Sequence, residues 1–105
     1  MRIFEINGLH INQKFCADSQ ISIEEMTFIC AILLTRERNS IVLDDMLYTH
    51  TDYGDFCDNF PMFAYGEHKF NAMFEHLIER GLLDCIIKNG VMYWNLANNN
   101  EMIIW

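Results

Sequence analysis

The chain has 105 residues and a mass of 12.4 kDa, which corresponds to one domain, and 51% of its residues are hydrophobic, enough for a core. Fifteen acidic and seven basic residues give a net charge of −8, so the chain repels nucleic acid phosphates and acidic membrane surfaces and favours a basic partner. The four cysteines form no CxxC pair, and the sequence has neither a leader-like segment nor an 18-residue apolar stretch, so we expect a cytoplasmic protein with reduced thiols.

The first predicted element is a β-hairpin within residues 1–15. Two short runs of β-forming residues, at positions 3–6 and 9–11, flank Asn7 and Gly8. Asn-Gly is a strong hairpin signal because both central residues of a type I′ turn need positive φ.

A central helix is predicted over residues 22–38. Ser22 and Glu25 have the spacing of a capping box, in which each side chain accepts a backbone N–H of the first turn. Nine of the twelve residues from 23 to 34 are apolar, and they surround almost the whole helix. Such a helix must be covered on several sides, either by the rest of the domain or by a second copy in a homodimer.

Residues 39–68 contain no Lys or Arg, although they are rich in acidic and aromatic side chains. We expect a short strand at 41–43, then a brief helix capped by Asp44 or Asp45 that runs to Tyr48 or Thr49. Residues 51–66 include Gly54, the only proline and Gly66, which predicts an irregular loop with at most one helical turn. Together, residues 44–66 form an acidic aromatic segment.

Three interpretations of this segment follow from its composition. It can be a solvated loop whose aromatic residues pack on the core, a surface for a basic partner, or a Ca²⁺ site at Asp52, Asp55 and Asp58. The three-residue spacing of these acids differs from the alternate positions that an EF-hand loop uses, so no metal is expected. In a partner-binding surface, the carboxylates would imitate nucleic acid phosphates, and the aromatic residues would add rigid contact area. The predicted contact residues are Asp44, Asp45, Asp52, Tyr53, Asp55, Phe56 and Asp58.

The last third of the chain has a clear pattern. A helix over 67–80 ends before Gly81, a hairpin turns at Asn89-Gly90 within residues 83–96, and an apolar tail follows at 97–105. We expect the tail to dock as a strand or a plug.

The segment HLIERGLLDCIIKNGVMYWNL resembles the third helix and wing of winged-helix proteins. The resemblance implies an α+β winged-helix-like domain, in which the third helix would enter the DNA major groove and the hairpin would touch the backbone. Only Lys69, Asn71 and Lys88 suit that role, because Glu75 and Glu79 leave the outer face of the helix negative.

Catalysis and cofactor binding find little support in the sequence. No P-loop or GxGxxG motif is present, and no two histidines have the spacing of metal ligands on a helix. Cys57 lies near His50 and Asp58 in sequence, but no motif for nucleophilic catalysis surrounds it. We therefore expect a protein without enzymatic activity and without a cofactor.

The favoured hypothesis is a regulatory adaptor or inhibitor that acts through protein–protein contacts of its acidic surface. Small acidic domains of this type resemble phage-encoded inhibitors, some of which imitate nucleic acid. The alternative is a dimeric winged-helix transcriptional regulator that binds DNA through Lys69, Asn71 and Lys88.

Overall fold

A computed structural model describes residues 4–6, 8–36 and 40–104, and the domain is α+β, as predicted. The elements in chain order are β1 (Phe4–Ile6), β2 (Leu9–Ile11), α1 (Gln13–Asp18), α2 (Ile23–Leu34), β3 (Ser40–Leu43), β4 (Met46–Thr49), α3 (Tyr53–Asn59), a 3-10 turn (Pro61–Phe63), α4 (Glu67–Glu79), β5 (Leu83–Lys88), β6 (Val91–Leu96) and β7 (Ile103–Ile104). No helix among the described residues is long and apolar enough to cross a membrane.

A three-stranded antiparallel sheet contains both ends of the described chain, in the order β1-β2-β7. The predicted strands of the N-terminal hairpin are confirmed, with Ile6 opposite Leu9, although Asn7 of the turn lies outside the described residues. The apolar tail docks as a strand, since Ile103 pairs with Ile11. The hairpin is shorter than predicted, because Asn12 accepts the Phe15 backbone N–H at 3.1 Å and so begins α1.

Helix α2 passes through the middle of the domain. The predicted capping box is present, with the Ser22 N–H donating to Glu25 Oε1 at 2.8 Å and the Glu25 N–H donating to Ser22 Oγ at 3.1 Å. The helix ends at Leu34 with Thr35 as its C-cap, short of the predicted residue 38, which lies outside the described residues.

The core of the domain covers α2 on several sides, so this helix does not need a second copy to bury it. Its buried residues are Glu25, Met26, Phe28, Ile29, Cys30, Ala31, Ile32 and Leu33. The Phe28 ring has four aromatic neighbours, at centroid distances of 5.2 to 5.8 Å, contributed by Phe56, Phe63, Phe70 and Phe74. Aromatic pairs of this kind contribute about 0.5–1.5 kcal/mol each beyond the area that they bury.

The second sheet has four antiparallel strands in the order β3-β4-β6-β5. The expected strand near residue 41 is present, but the brief helix predicted after it is wrong. Asp44 and Asp45 have φ values of 51° and 63°, so they form a type I′ turn, and Met46–Thr49 returns as strand β4. Aspartate tolerates the left-handed region better than most residues, and the strand pairing outweighs a helix cap here.

Residues 51–66 are more regular than predicted. Asp52 caps a two-turn helix, α3, and Pro61 begins the 3-10 turn, so the expected irregular loop is a second helical layer beside α4. The glycines and the proline suggested a loop. The aromatic residues of the segment pack on the core and hold it in a helical conformation, which the local sequence did not indicate.

Helix α4 and the hairpin after it follow the prediction closely. The Leu82 N–H donates to the Leu77 carbonyl and the Gly81 N–H donates to the Ile78 carbonyl, both at 3.0 Å, which is the complete Schellman motif. Gly81 has a φ of 72°, which a residue with a side chain rarely adopts. Asn89 and Gly90, with φ values of 53° and 78°, form the type I′ turn between β5 and β6.

Candidate partner-binding surface

Five of the predicted contact residues lie in α3 or at its N-cap, and three of them, Asp52, Asp55 and Asp58, are acids. Asp52 is the N-cap, and its Oδ2 accepts the Asp55 backbone N–H at 3.1 Å. Asp55 and Asp58 follow at three-residue steps, so the three carboxylates span about 120° of the helix circumference. All three residues are exposed. They present a short row of negative charge on a helix that is fixed to the core.

Asp44 and Asp45 lie in the turn between β3 and β4, separate from α3 in the chain. Both residues are exposed. The ion pairs among the described residues use other acids, namely Glu5, Asp18 and Glu25. The carboxylates of the turn and of α3 are therefore available to a partner.

The aromatic part of the predicted surface needs correction. Phe56 is 0% exposed, because it packs between Phe28 and Phe70 at centroid distances of 5.6 and 5.2 Å, so it cannot contact a partner. Tyr53 is half-buried, its ring lies 5.2 Å from that of Phe70, and its hydroxyl accepts the Gly66 N–H at 2.8 Å. The aromatic residues of this segment anchor α3 to the core, as the loop interpretation required of them.

A small polar cleft lies at the start of α3. Its lining comes from the end of α2, the β4–α3 connection and the first turns of α3, and consists of Thr35, His50, Thr51, Asp52, Asp55, Phe56 and Asn59. The cleft has about 10 Å³ of space, roughly enough for one water molecule. His50 Nδ1 lies 3.1 Å from the Met92 carbonyl, and Thr51 accepts the Trp94 indole N–H at 2.9 Å, so these side chains connect β4 to β6. The cleft suits surface contacts better than a small ligand.

Two apolar clefts flank α2. They hold about 240 Å³, beside Ile21 and Ile23, and about 140 Å³, beside Leu34 and Met62. Typical small-molecule pockets are larger, at about 300–1,000 Å³. Neither cleft includes any of the predicted contact residues.

The residues of the DNA-binding alternative, Lys69, Asn71 and Lys88, are all exposed, but aromatic and acidic side chains lie on or beside the same helix. Lys69 Nζ lies 4.7 Å from the centroid of the Tyr65 ring, a cation–π contact. Asn71 lies on α4, and Lys88 ends β5 at the turn into β6. Glu75 and Glu79 are exposed on the same helix, as the sequence indicated.

The residues considered for catalysis and metal binding do not form a joint site. Cys57 Sγ lies 4.0 Å from the Phe63 carbonyl, whereas His50 faces the Met92 carbonyl. Within the described ranges, no three His, Cys, Asp or Glu residues are placed to hold a metal ion. Asp52, Asp55 and Asp58 therefore do not form the Ca²⁺ site that was considered.

The sequence did not predict a polar cluster around the buried Glu25, which joins α2 to the end of α4. Arg80 Nη1 donates to both carboxylate oxygens of Glu25, at 2.7 and 2.6 Å, and His76 Nε2 lies 3.0 Å from Glu25 Oε2. Arg80 also donates to the carbonyls of Ser19 and Gln20. The capping box indicated the position of Glu25, but no local signal connects it with a residue 55 positions later.

The electrostatics of Glu25 follow from these contacts. Burial by itself raises the pKa of this carboxyl, but the hydrogen bonds from Ser22 and Arg80 and the charge of Arg80 outweigh it, so the pKa lies below its ordinary value. Glu25 is thus a buried carboxylate held in its charged form. It connects α2 to the end of α4 and is not part of the candidate partner-binding surface.

Comparisons with known proteins find no relative. No protein-family model, no curated protein and no solved structure matches this chain.

Proposed function

We propose that this protein is a non-enzymatic, cytoplasmic adaptor or inhibitor that binds a basic surface of another protein through Asp52, Asp55 and Asp58. Asp44 and Asp45 extend this surface along the β3–β4 turn. The observation that carries the proposal is a row of exposed carboxylates on a helix that Phe56 anchors in the core, and none of them forms an ion pair with another described residue.

Rigidity is what distinguishes this row from an ordinary solvated acidic loop. The Asp52 cap and the buried Phe56 hold the backbone of α3, so little conformational entropy is lost when a partner binds. Exposed carboxylates at fixed spacing raise the association rate of a basic partner and set its register. A partner that normally binds nucleic acid would meet negative charges in place of phosphates.

The fold is consistent with a winged-helix-like scaffold in which this function replaces DNA binding. Support for that scaffold comes from the order of α4, Gly81 at its C-terminal end and the β5–β6 hairpin, which is the order of the third helix and wing in winged-helix proteins. The acidic side chains of α4 and the net charge of −8 oppose contact with DNA phosphates. Small acidic inhibitors encoded by phages are proteins of the same type.

The test is a charge-neutral variant, Asp52→Asn/Asp55→Asn/Asp58→Asn, compared with a matched control, Glu75→Gln/Glu79→Gln/Asp84→Asn. Both variants remove three negative charges from exposed positions. Asparagine is as good an N-cap as aspartate, so α3 keeps its first turn. Each protein would be immobilised and used to capture binding proteins from a lysate of the source organism, with and without nuclease and at two salt concentrations.

We expect one dominant partner that survives nuclease treatment, is lost at high salt, and is lost with the α3 variant but not with the control. If each exposed charge contributes about 0.2–1 kcal/mol, the affinity for the purified partner should fall by about 3- to 150-fold. Equal binding by the two triple variants would refute the proposal. Material that disappears with nuclease and with Lys69→Glu would instead support the DNA-binding alternative.

A further inference from the structure

Strand β5 is an open edge of the four-stranded sheet. It is the last strand in the sheet order, and among the described strands it pairs only with β6. In a hairpin with a two-residue turn, the residues next to the turn exchange both hydrogen bonds, and bonded and non-bonded pairs then alternate. Lys88, Ile86 and Asp84 therefore bond to β6, whereas the backbone groups of Cys85 and Ile87 point to the outer edge. No turn or loop hydrogen bond among the described residues uses these outward groups.

The side chains of β5 leave this edge accessible. Four of its six residues are exposed, and one of them, Ile87, is a large apolar residue that is 72% exposed. Proteins usually protect an open edge with a proline, a bulge or a charged residue, above all lysine. Strand β5 has no proline, and its register with β6 runs without a bulge from Leu83 to Lys88. Its protection therefore depends on its two charged residues, Asp84 and Lys88.

These two charges are placed symmetrically about Ile86. Asp84 lies two residues before Ile86 and Lys88 lies two residues after it, so the three side chains share one face of the sheet. Neither charge takes part in the ion pairs among the described residues. When two copies of β5 pair antiparallel about a two-fold axis at Ile86, Asp84 of each copy is directly opposite Lys88 of the other. The strand is thus complementary to itself in charge.

The same register also satisfies the free backbone groups. It places Cys85 of each copy opposite Ile87 of the other, and these are the residues whose N–H and C=O groups point outward. The Asp84–Lys88 pairs then occupy non-bonded positions, where the side chains of opposite residues approach most closely. A shift of the register by two residues would keep the hydrogen bonds but lose both ion pairs. Lysine blocks an edge when its charge lacks a partner, and here the second copy supplies that partner.

We infer that β5 is a homodimer interface, in which two copies pair antiparallel through Cys85 and Ile87, with Asp84 of each copy against Lys88 of the other. The pairing continues the four-stranded sheet across the two-fold axis and covers Ile87. The occupant is a second copy because a matching strand needs the two charges in reversed order, which an antiparallel copy of β5 provides. The interface shares no residue with the candidate partner-binding surface, so the two proposals stand or fall separately.

We expect a reversible dimer, because a pair of six-residue strands buries little area and each copy carries a net charge of −8. Sedimentation velocity over about 1–500 µM protein measures the monomer–dimer equilibrium. A reducing buffer prevents the exposed, free Cys85 from forming a disulfide between copies. The test variants are Asp84→Lys and Lys88→Glu, each of which places like charges opposite each other at both ends of the interface. Val42→Lys is the control, because Val42 is 68% exposed and lies on β3, the opposite edge of the sheet.

The wild type and Val42→Lys should dimerise alike, and each charge variant alone should raise the dissociation constant about tenfold or more. An equimolar mixture of Asp84→Lys and Lys88→Glu should form a heterodimer at least as tight as the wild-type dimer, because every β5 charge of one chain then faces an opposite charge on the other. Damage to the fold of either variant would not be repaired by mixing, so this result is specific to the interface.

Amide hydrogen exchange provides a second readout on the wild type. The N–H groups of Cys85 and Ile87 should be protected only at high protein concentration, whereas the Ile86 N–H, which bonds to β6, should be protected at every concentration. A monomer at all concentrations, a dimer that Val42→Lys abolishes, or charge variants that fail to associate when mixed would overturn the inference.

Discussion

Replacing Arg80 with methionine should destabilise the domain far more than an ordinary ion-pair mutation. Arg80 forms two hydrogen bonds to the Glu25 carboxylate, whose side chain is only 8% exposed. Methionine retains the apolar bulk of the arginine stem but leaves the carboxylate with the Ser22 N–H and His76 as its remaining contacts. The variant therefore leaves a charge that is buried and poorly compensated.

The size of the effect follows from the exposure of the pair. Breaking a buried ion pair by removing one partner costs about 3–5 kcal/mol. The Arg80 side chain is 28% exposed, so water can reach part of the vacated site, and we reduce the expected loss in unfolding free energy to about 2–3 kcal/mol. For a domain of this size, such a loss lowers the melting temperature by about 10–15 °C.

Urea and thermal unfolding, followed by far-ultraviolet circular dichroism, would measure this loss. Lys14→Met is a matched control because Lys14 forms an exposed ion pair with Asp18 at 3.2 Å, and it should cost less than about 0.5 kcal/mol. Glu25→Gln provides a second background, since glutamine can keep the capping box while removing the buried charge. In that background, Arg80→Met should cost less than about 1 kcal/mol. Equal losses for Arg80→Met and Lys14→Met, or equal losses in both backgrounds, would refute the reasoning.

Two further predictions concern pH and the β3–β4 turn. The folded-state pKa of Glu25 lies below its ordinary value of 4.5, so its contribution to stability is present above that pH and is lost as the pH falls through the folded value. The difference in unfolding free energy between the wild type and Glu25→Gln should therefore shrink below about pH 4.5, and a constant difference in urea titrations would contradict this. Asp44→Asn/Asp45→Gly suits a type I′ turn better and should raise the unfolding free energy by about 0.5–1 kcal/mol at low protein concentration. A loss of stability in the same measurement would mean that the turn is of another type.

Where the chain carries local signals, the sequence predicted the structure well. Ser22 and Glu25 located the start of α2, Gly81 located the end of α4, and Asn89-Gly90 located the β5–β6 turn. Each of these signals acts through backbone conformation or hydrogen bonds within a few residues, so no knowledge of the tertiary structure was needed.

The failures have a common physical cause, which is tertiary contact. Asp44 and Asp45 can cap a helix or form a type I′ turn, and the pairing of β3 with β4 decides between these outcomes. Phe56 was assigned to the surface because its neighbours are acidic, but the rings of Phe28 and Phe70 draw it into the core. The carboxylates of the candidate surface are exposed, as predicted, whereas Phe56 is buried and was wrongly assigned to it.

The pairing of β2 with β7 has a consequence for how the domain folds. Ile11 and Ile103 meet from positions about ninety residues apart, and the Asn12 N–H continues this contact by donating to the Met102 carbonyl at 2.8 Å. Closing so long a loop has a large entropic cost that local hairpins avoid. The β5–β6 hairpin can therefore form early, whereas the three-stranded sheet must wait until the intervening chain is compact.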